Sequence, residues 1–581
     1  MNKLFTQLLA LRHIDDDFLH PNYENLTDPA TMPDMDKTIS RIQSAIKNHE
    51  KILIYGDYDV DGVTASTVMD SALRLAGALP PEIMLPDRFI DGYGMSPRLI
   101  DRAKEHGITL VITVDCGSRN HDIVDELGLA HIDTIITDHH ECAPDLPAAI
   151  AVVNPHRQDY TGPDTLKSLA GVGVAFKVAQ GLVAAGLIPS GQEKWLLDLV
   201  LIGTICDSML LTGENRILGY YGIKVLEKTR RKGLRELMKN AGITKISSES
   251  IGFQIGPRLN AAGRLESAEL SLNLLRTDSA AEAASIAATL EELNSRRRTE
   301  QRAATSEITK RRAATKSDDQ VIVESGKWHE GIIGIVAGRL VEQYHRPSFV
   351  LTEVENGIYK GSGRSFGDFS LAAALDSVRD VIEGGGGHAG AAGVQIRAEN
   401  IDIFRSRIND YYKSLHLTDQ ERFLKCHADL STEHLGDFTL DFLDSLKLLE
   451  PYGPGNEEPI FCLTGASILE TRRMGSDGQH LRLDLRGKDG KIIKCVSFFA
   501  PASWFTLDEA ENYDFLIRPI ENEFRGVRSV EARLLDILPS SSADHYYIYY
   551  IILVQYPTLV SLGARCLLFS TVFSTVTSKK T

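Results

Sequence analysis

The stretch KILIYGDYDVDG, residues 51–62, decides the fold of the first half of the chain. It is an apolar run that ends in three alternate aspartates, Asp57, Asp59 and Asp61. Similar runs follow, with stretches of helical character between them: TLVITVD (109–115), TIITD (134–138) and AIAVVNP (149–155). Runs rich in Ile, Val and Leu that alternate with helices are typical of parallel strands covered on both faces. The pattern predicts an open α/β sheet.

Polar residues stand where the predicted strands end. Asp115 ends the second run, and Asp138, His139 and His140 end the third. Open α/β sheets bind ligands beyond the carboxyl ends of their strands, so we expect these side chains to lie close together. Asp207, at the end of DLVLIGTICD, is a further candidate ligand. Mixed carboxylate and imidazole ligands suit Mn²⁺ or Mg²⁺, and the set predicts a site for two ions.

The three aspartates have other interpretations. D-x-D-x-D-G also opens a calcium EF-hand loop, but that loop needs a Glu at position twelve, where this chain has Val68. A solvated acidic turn stays open as the structural alternative. Two cations about 3.5–4 Å apart would suit phosphodiester cleavage. No G-x-x-x-x-G-K-[ST] sequence supports ATP hydrolysis.

Composition sets broad limits. The chain has 581 residues, 43% of them hydrophobic, which is enough for several packed domains. A formal net charge of -16 argues against a uniformly basic surface but allows a local basic groove. The cysteines are scattered without a C-x-x-C pair, as is typical of a reducing cytosol, and residues 1–18 resemble an amphipathic helix more than a signal peptide. We therefore expect a cytoplasmic protein.

The rest of the chain indicates further domains. Residues 279–315 contain neither Pro nor Gly, which predicts one helix of about 55 Å. A second α/β unit follows, and hydrophobic alternation near the end predicts a small β-barrel of the oligonucleotide-binding kind. The predicted division is an N-terminal helical segment (1–45), the parallel-sheet domain (46–278), the linking helix (279–318), the second α/β domain (319–415), the barrel (425–539) and an apolar tail (540–581).

Candidate phosphate-binding groups lie in later segments. They are Arg258 and Arg264 in IGPRLNAAGRLE, Lys360, Ser362 and Arg364 in YKGSGRS, and the backbone amides and His388 of GGGGHAGAAG. Glycines let backbone N–H groups approach phosphate closely. Such a run is also found in flexible linkers, but the embedded His388 and the small Ala residues favour a packed turn. Residues 295–316 carry eight Lys/Arg against two Glu. That excess fits a solvated helix face or a face that follows nucleic acid.

Several of these strings together identify a family. DYDVDG, VDCG, DHH and GGHAGAAG, in this order, resemble the DHH phosphoesterase superfamily with its associated C-terminal domain (DHHA1-type). RFIDGYGMSP, SLAGVGVAFK, WHEGIIGIVAGRL, PYGPGNEEPIF and NEFRGVRS resemble its bacterial single-strand-DNA-specific exonucleases. The resemblance implies a 5′ to 3′ exonuclease that uses Mn²⁺ or Mg²⁺, releases mononucleotides from single-stranded DNA and acts in DNA recombination and mismatch repair.

The resemblance also implies roles for residues. The metal ligands would be Asp59, Asp61, Asp115, His139 and Asp207, supported by Asp57 and His140 as catalytic neighbours. The 5′ end would be bound by Arg88, Arg258, Arg264, Ser362, Arg364, Gly387 and His388. A groove too narrow for duplex would separate the two α/β domains, and the barrel would hold the strand, with Phe498, Phe499, Phe524, Arg525 and Arg528 as candidates. A single-strand-binding protein and a helicase are candidate partners.

The tail departs from the family. Residues 546–564 form an uncharged stretch that is long enough to span a membrane. Gln555, Pro557 and Gly563 weaken that interpretation. We favour the interpretation that residues 540–581 are an appendix from out-of-frame or read-through translation. The two alternatives are a genuine tail that packs or binds a partner, and a membrane span. We expect no membrane association.

Three other functions remain open at this point. A DHH enzyme for short oligonucleotides or cyclic dinucleotides would need neither the barrel nor the long helix. A binding scaffold would have lost the metal ligands, which are present here. A polyphosphate or pyrophosphate hydrolase would leave a DNA groove unexplained.

Overall fold

The computed structural model describes residues 2–92, 94–417, 428–475, 478–498 and 500–539. These residues pack as two units. The sheet unit comprises residues 20–417 and 450–457, and the barrel unit comprises residues 2–19, 428–449 and 458–539. The chain starts with α1 (Lys3–Leu11) and α2 (Asp16–Leu19), which belong to the barrel unit. The predicted tail, 540–581, lies outside the described residues.

The predicted parallel sheet is confirmed. Its strands are β1 (Ile52–Tyr55), β2 (Glu82–Met84), β3 (Leu110–Val114), β4 (Asp133–Thr137) and β5 (Ala151–Val153). They pair in the order β2-β1-β3-β4-β5, and every pairing is parallel. The order reverses between β1 and β3, which is where such sheets open a crevice for ligands. Four of the five predicted ligands, and both of their catalytic neighbours, follow β1, β3 or β4.

Helices cover the sheet and form a layer beyond it. They are α3 (Met35–Lys47), α4 (Val60–Leu75), α5 (Arg98–His106), α6 (His121–Leu129), α7 (Gly171–Ala184), α8 (Leu197–Cys206), α9 (Gly213–Leu226), α10 (Lys232–Asn240), α11 (Ser248–Ser250), α12 (Gly256–Leu265) and α13 (Glu269–Arg276). A π-helical turn, Ile251–Ile255, joins α11 to α12. Helix α4 packs against both α7 and α8. These three helices are buried on almost every side, as expected for helices in the centre of a domain.

The predicted long helix is present as α14 (Ala280–Thr315), 36 residues that span about 54 Å. It packs against α10, α12 and α13 and against α15 (Glu330–Tyr344). Part of its basic face is solvated, because Arg296 and Arg311 pair with glutamates one turn away on the same helix. Arg297 and Arg312 are largely buried instead. The helix therefore links two domains through continuous packing.

The second sheet is mixed. Its strands are β6 (Ile322–Gly326), β7 (Ser348–Glu355), β8 (Ile358–Arg364), β9 (Gly384–Gly387) and β10 (Ala391–Arg397), in the order β6-β7-β8-β10-β9. Only the β6–β7 pairing is parallel among these described strands. Helices α16 (Leu371–Asp376) and α17 (Ile401–Ser414) complete the domain.

The glycine run is neither a linker nor simply a turn. It forms the edge strand β9, in which Gly387 pairs with Ala392. Gly387 has a φ of 151°, and a Cβ there would lie 2.3 Å from the Ala391 carbonyl oxygen. Only glycine allows the two strands to approach so closely. The expectation of a packed turn is corrected to that extent.

The predicted barrel is confirmed. Strands β11 (Leu430–Thr432), β12 (Phe461–Met474), β13 (His480–Arg486), β14 (Ile492–Ser497), β15 (Asn512–Phe524) and β16 (Val527–Pro539) form it, together with α18 (Leu440–Leu446). The order is β11-β12-β13-β14-β16-β15, and a pairing of β12 with β15 closes the barrel.

The first helix packs within the barrel unit. Helix α1 contacts α18 and β11, and Arg12 Nε lies 2.6 Å from Asp429 Oδ1. Residues 20–47 pack in the sheet unit. The segment 1–45, predicted as one piece, therefore divides after Leu19.

Candidate functional site

The carboxylates after β1 enter helix α4. Asp57 is buried directly beyond the strand, Asp59 caps the helix by accepting a hydrogen bond from the Gly62 N–H (3.0 Å), and Asp61 lies in the first turn. Asp115 follows β3, His139 and His140 follow β4, and Asp207 ends α8. The structure brings these seven together as three overlapping groups whose donor atoms lie within 4.8 Å: Asp57, Asp59 and Asp115; Asp61, His139 and Asp207; Asp115, His139 and His140.

His139 lies at the centre of the site. Its Nε2 is 3.1 Å from Asp115 Oδ1, 3.6 Å from Asp207 Oδ2 and 3.8 Å from Asp61 Oδ2. These groups come from four separate segments of the chain. Because three carboxylates surround one imidazole nitrogen, the arrangement has the donor spacing of a metal centre.

Helix α7 fixes Asp61 from the opposite side. Its first backbone amides, those of Gly171 and Val172, donate to Asp61 Oδ2 (2.6 Å) and Oδ1 (2.9 Å). A Cβ at Gly171 would lie only 2.5 Å from the Asp115 Cβ. A glycine at position 171 is therefore required for the helix to approach both aspartates, which accounts for the first glycine of AGVGV.

Within this site, two buried carboxylate oxygens lack hydrogen bonds to any residue that the structure describes. They are Asp57 Oδ1 and Asp115 Oδ1. Asp115 also has a φ of 62°, a left-handed conformation that costs energy for a residue with a side chain. Buried polar atoms without partners are rare and typically mark an ion or a reactive group. The orphaned oxygens fit a cation between them.

The electrostatics point the same way. Burial and the charge of Asp59 raise the pKa of Asp57 to about 8 and that of Asp207 to about 7. Burial and neighbouring carboxylates also raise the pKa of Asp61 and of Asp115 well above the ordinary range. Anions held this close repel unless protons or cations neutralise them. Oxygen and imidazole donors of this kind fit Mn²⁺ or Mg²⁺.

Asp138 orients the second histidine, a role that the sequence did not indicate. It accepts hydrogen bonds from the backbone amides of Ser118, His139 and His140, and its Oδ1 lies 2.8 Å from His140 Nδ1. Burial acts to raise the pKa of Asp138. The hydrogen bond from His140 and the positive charge of that ring outweigh burial, so the pKa of Asp138 lies below its usual range. The same bond raises the pKa of His140 against the effect of burial. Burial and His140, by contrast, lower the pKa of His139 to about 4.

A cluster of arginines lies beside the carboxylates. Burial and neighbouring positive charges lower the pKa of Arg264 to about 9; those neighbours are Arg88, Arg297 and Arg364. The Arg88 guanidinium stacks 4.1 Å above the Tyr58 ring, and its Nε has no hydrogen-bond partner among the described residues. Arg364 donates to Ser362 Oγ (3.1 Å). No ion pair engages these four guanidinium groups among the residues described, and cations gathered in this way form a site for an anion.

Arg297 of α14 is a member of the cluster that sequence reasoning did not single out. Together with Arg264, Asn260 and Cys206 it lines a cavity of about 200 Å³. Its Nε is buried without a hydrogen-bond partner in the described ranges. The basic run of α14 was the available signal, but the sequence did not show which arginine faces inward.

Three predicted substrate residues lie elsewhere or are engaged. The Arg258 guanidinium pairs with Glu291 (2.5 Å) and donates to the Gln254 carbonyl. Gly387 and His388 lie at the exposed edge of the second sheet, at the end of the sheet where β8 ends in Arg364. Among the described residues, burial lowers the pKa of the Arg297 guanidinium, and Arg258 lies close enough for its charge to lower that pKa further. No described contact links Gly387 or His388 to the arginine cluster.

The barrel carries exposed aromatic residues. Phe498 is 60% exposed and Phe524 66% exposed, and Arg525 lies 5.2 Å from the Phe524 ring centroid. Arg528, by contrast, is paired with Glu521 and Asp444. The fifth candidate, Phe499, lies outside the described residues.

The described helices include none long and apolar enough to cross a membrane.

Family comparisons assign each part of the chain. Residues 51–204 match the DHH family, N-terminal domain; residues 318–414 match the DHHA1 domain; and residues 431–536 match the RecJ OB domain.

Relatives match most of the chain. The single-stranded-DNA-specific exonuclease RecJ of Bacillus subtilis is 38% identical over 83% of this chain, which spans 60% of that relative's length. The protein of the same name from Dickeya dadantii is 31% identical over 90% of this chain and 93% of its own. A crystal structure of RecJ in complex with Mn²⁺ from Thermus thermophilus matches with a TM-score of 0.77 and 29% identity, over 92% of this chain and 75% of that one. The chain therefore belongs to the RecJ family of DHH proteins.

Proposed function

We propose that this protein is a 5′ to 3′ exonuclease that hydrolyses single-stranded DNA to mononucleotides with two Mn²⁺ or Mg²⁺ ions. The observation that carries the proposal is the convergence of seven carboxylate and imidazole side chains, two with orphaned buried oxygens, beside a cluster of arginines. The relatives, which are named single-stranded-DNA-specific exonucleases, support the substrate. The similar structure with bound Mn²⁺ supports the cofactor.

The metal ligands in this proposal are Asp59, Asp61, Asp115, His139 and Asp207. These side chains would hold two ions, which would supply an activated water molecule and stabilise the charge that develops on the phosphate. Asp57 supplies a further buried carboxylate, whose Oδ1 has no hydrogen-bond partner in the described chain.

His140 is the candidate proton carrier. Its Nδ1 faces Asp138 Oδ1 at 2.8 Å, so this nitrogen holds the proton of that hydrogen bond and Nε2 is the nitrogen left for the site. The raised pKa of His140 favours the protonated ring, which is suited to stabilise a leaving oxygen. A carboxylate behind the histidine fixes the orientation of the ring.

The arginine cluster binds the phosphate of the 5′ end in this proposal. Arg88 and Arg264 come from the first domain and Ser362 and Arg364 from the second, so the terminal phosphate is held where the two domains of the sheet unit pack together. We add Arg297 to this group. Arg258 is better assigned to holding α12 against α14, since Glu291 occupies its guanidinium. Gly387 and His388 remain candidates for contacts further along the strand.

The barrel is proposed to hold the incoming strand through exposed rings and nearby arginines, as oligonucleotide-binding barrels do. Recruitment by a single-strand-binding protein or a helicase, a role in DNA recombination and repair, and a cytoplasmic location are proposed on the same family basis. The described cysteines are all unpaired, which suits a reducing compartment.

The test is a time course with Mn²⁺ on single-stranded DNA of about 30 nucleotides, labelled at either end, beside the same duplex. We expect the 5′ label to appear at once as mononucleotide, the 3′-labelled strand to shorten stepwise, the duplex to survive and Asp115→Ala to be inactive.

Other results would support the alternatives. Cleavage confined to di- to pentanucleotides would favour the small-oligonucleotide enzyme. Binding of DNA without cleavage under every metal condition would favour the scaffold.

A further inference from the structure

We propose that the sheet unit carries a docking pocket for an acidic peptide segment with one large apolar side chain, at a site separate from the metal centre. The pocket has a volume of about 220 Å³, and its aromatic walls are Tyr23, Trp195 and Tyr221. Small-molecule sites usually measure about 300–1,000 Å³, so this pocket suits a single side chain of a larger partner.

The pocket is apolar because the tyrosine hydroxyls are engaged elsewhere. Tyr23 donates to Glu193 Oε1 (3.2 Å), and Tyr221 donates to the Pro21 carbonyl (3.0 Å). The rings, with Leu197 and Val225, are left to line the cavity. An apolar side chain is therefore the group that such a surface desolvates favourably.

The rim of the pocket is cationic. Lys194, Lys224 and Lys228 line it. The Lys228 ammonium has no ion-pair or hydrogen-bond partner within the described ranges, and Lys194 has only Glu24, 3.8 Å away and 79% exposed. Residues 224–235 contain six Lys/Arg and one Glu in a chain of net charge -16. Such a local excess of positive charge selects a negatively charged partner.

Nucleic acid is the weaker match, because one cation already lies over the Tyr23 ring and another over the Trp195 ring. Lys194 lies 4.1 Å from the Tyr23 centroid, and Arg230 lies 3.5 Å from the Trp195 centroid. Lys224 covers the adjacent Tyr220 at 3.7 Å. Single-stranded nucleic acid binds such surfaces by stacking bases on free rings. Carboxylates that meet the lysines beside an inserted side chain need no free ring face.

The pocket is distant from the metal centre along one helix. Leu197, which lines the pocket, begins α8, and Asp207 follows its last residue. A helix of ten residues separates its ends by about 15 Å. A bound peptide would therefore leave the metal ligands accessible, as suits a recruitment surface.

The test measures fluorescence anisotropy with a fluorescein-labelled peptide in which one central Phe has four acidic residues on each side. The full chain is used in the presence of a chelator. We expect saturable binding of this peptide. The double variant Lys224→Glu with Lys228→Glu should weaken the binding by about tenfold or more, and replacing the Phe of the peptide with Ala should weaken it to a similar extent. Lys104→Glu with Lys413→Glu, exposed lysines elsewhere, is the matched control and should leave binding within about twofold.

Other outcomes overturn the proposal. They are no binding of the peptide, equal binding of the Phe→Ala peptide, or equal effects of the two lysine pairs. If the double variant at the pocket weakens binding of a labelled oligothymidylate strand and not of the peptide, the surface is a nucleic-acid site. Exonuclease activity of the same variant, measured in parallel, should be unchanged, so failure here is separable from failure of the proposed function.

Discussion

At the scale of single residues, Asp115 combines three unfavourable features. Its backbone is left-handed, its carboxylate is buried, and neighbouring carboxylates surround it. Such a residue lowers stability in exchange for function.

We therefore expect Asp115→Asn to abolish exonuclease activity and yet stabilise the metal-free protein. The gain should be about 0.5–2 kcal/mol near pH 8, the usual size for a stabilising substitution, because the amide carries no charge for the neighbouring carboxylates to repel. Denaturant unfolding in a chelator measures it. Asp70→Asn is the control, because Asp70 is buried between Arg74 (2.9 Å) and Arg276 (3.2 Å) and its loss should destabilise. A destabilised Asp115→Asn protein would contradict the prediction.

Stability of the metal-free protein should also depend on pH. With pKa values of about 8 for Asp57 and about 7 for Asp207, these carboxylates hold protons in the folded protein that they lose in the unfolded chain above about pH 4. His139, whose pKa is lowered to about 4, acts in the opposite direction between about pH 4 and 6.5, but it is one group against two. The free energy of unfolding therefore falls as the pH rises from about 4 to 8. Melting temperatures at several pH values should show this decline in chelator and a smaller one with Mn²⁺, which replaces the protons. A flat profile in chelator would show that the carboxylates are not crowded as described.

Arg297 should contribute to substrate binding and not to metal binding. Removing its charge with Arg297→Met is expected to raise KM for 5′-phosphorylated single strands by about tenfold and to reduce the salt dependence of binding by about one phosphate contact. The adjacent Arg298 is exposed, so Arg298→Met is the control. Equal effects of both variants would instead assign α14 a general electrostatic role.

At the scale of elements, the strands and the long helix were predictable because their signals are local. Apolar runs mark β1, β3, β4 and β5, and the absence of Pro and Gly marks α14. The ligands were predictable because strand ends meet at one edge of a parallel sheet. Neither the edge-strand role of the glycine run nor the inward direction of Arg297 could be predicted, since both depend on packing against residues distant in sequence.

The start of α7 is the element most sensitive to change. A Cβ at Gly171 would collide with Asp115, so Gly171→Ala should displace the helix and weaken metal binding by about 10- to 100-fold. Gly173→Ala is the control in the same helix, because the three atoms nearest to its Cβ would all belong to the Leu169 side chain, at 3.0 to 3.5 Å, and none to a metal ligand. Calorimetric titration with Mn²⁺ compares the two, and similar affinities would refute the role of the close approach.

At the scale of the whole molecule, the two units should respond separately to substitution. Asp429 accepts from Arg12 (2.6 Å) and from the Ile460 amide (2.9 Å), both within the barrel unit. Asp429→Ala should destabilise that unit by about 2–3 kcal/mol, because it removes the carboxylate that neutralises the largely buried Arg12 guanidinium. Asp410, in an exposed pair with Lys413, supplies the control Asp410→Ala. Calorimetry should show a lower melting temperature for the barrel unit and an unchanged affinity for Mn²⁺. A loss of Mn²⁺ affinity would contradict this separation.

The pairing of α1 with the barrel unit also sets an order of events during synthesis. Arg12 and Asp429 are 417 positions apart, so at about 5–20 residues per second a ribosome adds the second about 20–80 s after the first. During that interval Leu4, Phe5 and Leu8, which end up buried, have no barrel to cover them. A nascent chain that stalls before its last domain thus displays an apolar helix, a feature by which chaperones and proteases can distinguish unfinished molecules from finished ones.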